Sequence, residues 1–260
     1  MKLARLMMII TLLTLLGAPA AWAQVTLKDG QLNYSSGGAK KILTLDAGQP
    51  AKVRGSEAVF TFVADPEVLK AAKAPGPALL FFNKNGALAG VYAGRDGFDP
   101  EMCQMASMSP DGKTIALDNG TWLVRVWTFL KYPQMTPVNP AVEEPFISYL
   151  STPENGQNAT DLVWVDNDTV IVTDISEAPV SRPCPSDPCE PLDVVVHRLS
   201  TWNPAALAKG DELCDYSIKS LSGRTVTVNK TCARTIDDWA VVDDPALRQV
   251  TEEKIEVPDK

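Results

Sequence analysis

The chain has 260 residues, 45% of them hydrophobic and 22% charged, which is the balance of an ordinary soluble globular protein and excludes a disordered tail or a membrane bundle. Its formal net charge is -8, and the densest basic stretches, Lys40-Lys41 and Arg224 to Arg234, are short and diluted by acids, which argues against nucleic acid and anionic membrane surfaces as partners. His197 is the only histidine, so multi-histidine zinc sites and the H-E-x-x-H metalloprotease helix are excluded; there is also no glycine-rich phosphate loop, and neither a metal nor a cofactor is expected.

In chain order, the first element is an address. Met1 to Arg5 carries two positive charges, Leu6 to Leu16 is an apolar run interrupted only by threonines, and Ala21-Trp22-Ala23 supplies the small residues of a cleavage site. This predicts a secretory signal over residues 1-23, cut before Gln24, because the apolar run falls well short of the ~20 residues that a membrane-spanning helix needs. Residues 24-260 are then expected to form one domain, periplasmic or secreted, without membrane insertion.

Beyond the signal, strand patterns dominate. Runs of apolar and β-branched residues occupy 58-63, 79-82, 87-92, 114-117, 121-129, 161-165, 169-173, 193-199 and 224-228, and Asn85-Gly86, Asp111-Gly112, Asn119-Gly120 and Ser222-Gly223 punctuate them with residues that accept positive φ in tight hairpins. Three short helices are expected where a capping side chain precedes proline: from Asp65-Pro66 to about Lys73, from Asn203-Pro204 to Gly210, and from Asp244-Pro245 toward Lys254. An export compartment makes disulfides the default for cysteine. The pairs expected are Cys184 with Cys189, in the short C-P-S-D-P-C loop, and Cys214 with Cys232, which flank a hairpin pattern; Cys103 is left over, either buried or free to link two chains.

A turn-then-strand unit recurs at nearly equal steps. Pro110 to Asp118 aligns without a gap on Asp166 to Asp174, and Gly55 to Phe62 and Ser222 to Asn229 fall in the same frame. Within the second unit, Ser109-Pro110-Asp111-Gly112-Lys113-Thr114-Ile115-Ala116 resembles the S-P-D-G-K-x-I-A hairpin of WD40-like and TolB-like β-propeller blades, and Val124 to Trp127 and His197 to Asn203 are similar to the strand leading to a blade's closing tryptophan. The resemblance covers about residues 103-215. It implies an all-β, propeller-like fold of four long or about five blades with short helical insertions, and it names no function. The same alternation also allows a two-layer β-sandwich.

Candidate chemistry is sparse, and no catalytic residue can be assigned. His197 alternates with Val195 and Leu199 on a strand pattern and has no G-x-S-x-G partner, which makes it a half-buried strand residue before a general base. Asp96, Asp99, Glu101, Asp166 and Asp168 do not follow a calcium-loop spacing, and the sequential acid pairs, such as Asp237-Asp238 and Glu252-Glu253, point to opposite faces of any strand that carries them. Trp122, Arg125 and Trp127 are the best candidates for a binding surface, with at least one of the tryptophans expected in the core. The expectation is therefore an exported, non-enzymatic binding or scaffold protein that presents a propeller surface to a protein or small ligand. The alternative is an extracytoplasmic carboxylate- or metal-dependent hydrolase, which requires acids from different blades to converge.

Overall fold

The computed structural model describes residues 25-94, 98-118, 124-138, 146-149, 162-175, 182-183, 191-240 and 245-259. They form five small antiparallel sheets in chain order. The first contains β1 (Thr26–Lys28), β2 (Gln31–Ser36) and β3 (Ala39–Thr44); the second contains β4 (Ala51–Lys52), β5 (Val59–Val63), β6 (Ala78–Phe82) and β7 (Leu88–Tyr92). The third has β8 (Ala106–Met108), β9 (Thr114–Asp118) and β10 (Val124–Lys131), whose outer side is shared by β11 (Thr136–Pro137) and β12 (Phe146–Tyr149). The fourth has β13 (Leu162–Trp164), β14 (Thr169–Ile175), β15 (Leu192–Arg198) and β16 (Asn203–Ala208), and the fifth has β17 (Cys214–Ser222), β18 (Thr225–Ala233) and β19 (Arg248–Glu256). Among the described residues no helix is long and apolar enough to cross a membrane.

Strand alternation decides how the sheets stack, because successive side chains leave opposite faces. In β6, Leu80 and Phe82 pack toward the first sheet, while Leu79 and Phe81 pack toward the third. In β9, Ile115 and Leu117 join the core shared with the second sheet and Ala116 the core shared with the fourth; in β14, Val170 and Val172 face the third sheet and Ile171 the fifth. Each of the four apolar cores thus lies between two sheets adjacent in sequence, and none of the four joins the first sheet to the last. A series of small meanders, of which the second, third and fourth bury both faces against neighbours and the first and fifth bury one, is a propeller-like arrangement and not the two opposed layers of a sandwich.

The recurrent sequence units occupy equivalent places in this series. Each supplies the turn after a sheet's first strand and then its second strand, which is β5, β9, β14 or β18. Their turns abut: the Asp111 N–H donates to Asn167 Oδ1 at 3.0 Å across 56 residues, and Arg224 Nη1 donates to Asp166 Oδ2 at 3.4 Å. The S-P-D-G-K turn is self-bonded, with the Lys113 N–H and the Ser109 hydroxyl both donating to Asp111 Oδ1 at 3.0 and 2.8 Å and Gly112 at φ +69. These bonds hold the Asp111 carboxyl below its ordinary range, the Ser109 hydroxyl being the largest cause.

One of the three expected helices forms. Asp65 caps α1 (Pro66–Ala72) by accepting from the Glu67 and Val68 N–H groups at 2.9 and 3.0 Å, and Val68, Leu69, Ala71 and Ala72 enter the first core. The segment from Asn203 is instead β16, with Trp202 turning the chain at φ 50 so that Pro204 pairs with His197 at the sheet edge, where a missing N–H costs no ladder bond. The segment from Pro245 gives only a short 3-10 turn before β19, which pairs with all nine residues of β18. In both cases strand pairing outweighs a local helix start, since short isolated helices gain little without a face to bury. β1 to β4, β8, β11, β12 and β19 lie outside the strand runs read from sequence, and β17 was legible only as one arm of the hairpin between Cys214 and Cys232; most of these strands are short or strongly polar.

The first sheet is fastened to the second at one close approach. The Leu27 N–H donates to Gly86 O at 2.8 Å, and a Cβ on Gly86, whose φ is +75, would lie 2.1 Å from Leu27 O. Gly86→Ala is expected to cost about 1-3 kcal/mol through the left-handed backbone alone, and more through the collision. Urea unfolding would measure the loss and amide exchange in β1 to β3 would locate it; a cost below about 0.5 kcal/mol, the scale of an ordinary surface change, would show that this approach is not what holds the first sheet.

Candidate functional site

The first strands of the second, third and fourth sheets converge, and Arg54 stands where they meet. The residue follows β4, directly before the turn at Gly55, and it makes a parallel bridge to β8: the Arg54 N–H donates to Ala106 O at 2.8 Å, and the Met108 N–H donates to Arg54 O at 2.9 Å. Gly55 permits this approach, because at φ +77 its missing Cβ would already be 3.1 Å from Met108 O. The Arg54 side chain then crosses the inner edge of the third sheet, with Nη1 donating to Leu162 O of β13 at 3.2 Å and Nη2 lying 3.2 Å from Met105 Sδ.

Around this guanidinium lies a small amphipathic surface. Met105 and Trp164 are half-buried at the edge of the core between the third and fourth sheets, and the Trp164 indole N–H donates to Ser107 Oγ at 3.2 Å. Phe129 meets the Trp164 ring edge-on, centroids 6.0 Å apart, which fixes the indole plane. Arg54 itself is exposed, and no carboxylate among the described residues is within ion-pair distance of it. By contrast, Arg224 meets Asp166 and Asp259, and buried Arg182 meets Asp215 at 2.7 Å. Arginine, tryptophan and methionine at one rigid convergence point are the residue types that anchor protein interfaces.

The residues expected from the sequence are placed as follows. Trp127 is 1% exposed inside the core between the third and fourth sheets, where β10 alternation turns it, with Phe129, toward Val170 and Val172; as a binding-surface residue it is therefore corrected to a packing residue. Arg125 stands in β10 opposite Ser148, and Trp122 lies outside the described residues. Cys214 and Cys232 are bonded to each other across directly opposed positions of β17 and β18, with Cα atoms 4.1 Å apart. Cys184 and Cys189 lie outside the described residues. Cys103 is free and half-buried, its thiol pushed up to about 12 chiefly by burial and further by the Asp118 carboxylate.

The acids have local duties. Asp168 accepts from the Ser200 N–H at 2.7 Å and the Ser200 hydroxyl at 2.6 Å, tying the first turn of the fourth sheet to the turn after β15. Asp99 caps a short 3-10 turn through the Glu101 N–H at 3.0 Å, Glu252 pairs with Lys219, and Glu253 pairs with Lys230 at 3.7 Å. At the other end of the fifth sheet, Trp239 lies between two guanidinium groups, 4.3 Å from Arg182 and 4.8 Å from Arg248, while burial raises the Asp215 carboxyl against the opposing pull of Arg182. This cluster holds Trp239, in the short turn after β18, against Arg248 at the start of β19, and the disulfide ties β17 to β18.

Arg54 was missed because it follows a two-residue strand in a short stretch with no strand or turn pattern of its own. Its one legible signal is its position in the repeat, where it aligns with Pro110 and Asp166 at the turn; its meeting with Leu162, 108 residues away, is a product of sheet stacking.

No family model matches the chain, and no curated protein matches it. Among solved structures it is similar to the tricorn protease, at 11% identity and a TM-score of 0.44 over 80% of this chain and 18% of that one. It is also similar to the hydrazine synthase of Kuenenia stuttgartiensis, at 10% identity and 0.40 over 88% and 57%, and to a nidogen/laminin complex chain, at 10% identity and 0.32 over 87% and 76%. The chain thus spans about a fifth of the first protein and little more than half of the second. At these scores and identities, what those proteins do does not transfer to it.

His197 yields a pH dependence. It is 4% exposed in β15, beside the Trp202 ring at 5.9 Å, and burial lowers its imidazole from 6.5 to about 4. The unfolded chain therefore binds a proton that the folded chain refuses, so stability falls as pH drops from about 6.5 to about 4, by roughly 3 kcal/mol in total. Urea midpoints across that window should show a steeper decline for the wild type than for His197→Gln; parallel curves would contradict the assignment.

Proposed function

We propose that this protein is an exported binding module, residues 24-260 after removal of the signal at 1-23, which presents the convergence of its first strands to a protein partner. The observation that carries the reading is the exposed Arg54 guanidinium, held in place by Leu162 O at 3.2 Å with no carboxylate of the described residues to neutralise it. Met105 and Trp164 beside it offer apolar area on a rigid frame, so little conformational entropy is lost on binding. The Cys214–Cys232 disulfide and the signal-like N-terminus support an oxidising compartment.

N-terminal sequencing of the exported chain is expected to begin at Gln24. A photoreactive side chain at position 105 should give a discrete cross-linked product in that compartment, whereas one at position 42, on the exposed outer face of the first sheet, should not. Arg54→Glu should weaken the product at least ~30-fold, the scale of an interface anchor of about 2 kcal/mol, without lowering the melting temperature comparably. Equal products from positions 105 and 42, or indifference to Arg54, would refute the assignment.

A further inference from the structure

We infer that the partner presents an aspartate or glutamate side chain to Arg54 with an apolar residue two positions away in sequence, an inference that rests on the binding reading above. Arginine carries five N–H donors in a planar fork. Among the described residues one reaches Leu162 O and another leans on the Met105 thioether, which leaves three donors for a ligand. The Leu162 bond fixes the guanidinium plane, and a fixed fork matches the two oxygens of a carboxylate better than it matches a neutral amide. Among the described residues no carboxylate is within ion-pair distance of Arg54, so charge complementarity selects an acidic group at this guanidinium.

The neighbours of Arg54 determine the remainder. Met105 gives an adaptable apolar surface and Trp164 a flat one, both anchored in the core between the third and fourth sheets. An extended peptide whose carboxylate sits on Arg54 turns its immediate neighbours away and lays the residues two positions along, about 6.6–7.2 Å distant, on the same side as the thioether and the indole. An aliphatic or aromatic side chain gains from that contact, and a second charge loses its hydration there. The recognised pattern is a single acid with an apolar residue two positions to either side, in contrast to an acidic run.

The test uses the disulfide-bonded chain from Gln24 to Lys260 with its methionine methyl groups labelled, and two capped peptides, acetyl-Phe-Ala-Glu-Ala-Phe-amide and its glutamine counterpart. The Met105 methyl resonance, assigned with Met105→Leu, should shift on titration with the glutamate peptide, at an affinity about tenfold or more above that of the glutamine peptide, a difference of about 1.4 kcal/mol. Arg54→Gln should abolish the preference, and Arg54→Lys should retain a weakened one. Equal affinity of the two peptides for the wild type, with Met105 shifting in both, would overturn the acidic specificity and leave the binding face standing. No shift at Met105 with either peptide would remove both. The glutamate-to-glutamine ratio is read on the unmodified protein, so the result does not depend on a variant folding.

Discussion

No sheet in this protein has enough strands to bury a face alone, and the three inner sheets each have two faces to bury. The consequence is visible residue by residue in β6, where Leu79 and Phe81 serve one core while Leu80 and Phe82 serve the next, all of them fully buried. Remove a neighbouring sheet and half of those side chains meet water. The series of meanders is therefore held together from sheet to sheet, and its stability is close to a sum of neighbour terms.

Stacking of that kind has a second effect, which is to bring the first strands together. The turn after β4 joins β8 through backbone bonds, and the Arg54 side chain reaches β13 beyond it, so three sheets share one junction. Because the polar backbone groups of the junction are used in sheet-to-sheet bonds, what remains for a ligand is side-chain chemistry: a guanidinium, a thioether and an indole. The opposite arrangement holds at the far end of the fifth sheet, where Arg182, Asp215, Trp239 and Arg248 meet one another within the protein and serve as a clasp. An arginine looks the same in sequence in either place; partners separate the clasp from the exposed cation.

Electrostatics follow burial throughout. His197 is kept neutral in β15 and the Cys103 thiol is kept protonated beside Asp118, both through loss of hydration, so the two residues whose chemistry is usually reactive are held in unreactive states. Asp111 and Glu67 are shifted the other way, by hydrogen bonds from Ser109 and from Lys41. The Asp111 carboxylate closes its turn, and that of Glu67 ties α1 to Lys41 of β3.

The sequence by itself determined the strand-rich class, the recurrence of a turn and strand, the capped helix after Asp65 and the pairing of Cys214 with Cys232. Each is written in neighbouring residues: alternation has a period of two, a turn needs glycine or asparagine at a positive φ, and a cap needs a side chain three residues from its target. Only the tertiary structure decided that the segments from Asn203 and Pro245 become strands, that Trp127 is buried, and that Arg54 stands at the junction of three sheets. The physical reason is range. A strand is stabilised by bonds to a partner that sequence does not identify, and whether a tryptophan or an arginine faces core, clasp or solvent depends on which sheet stacks against it.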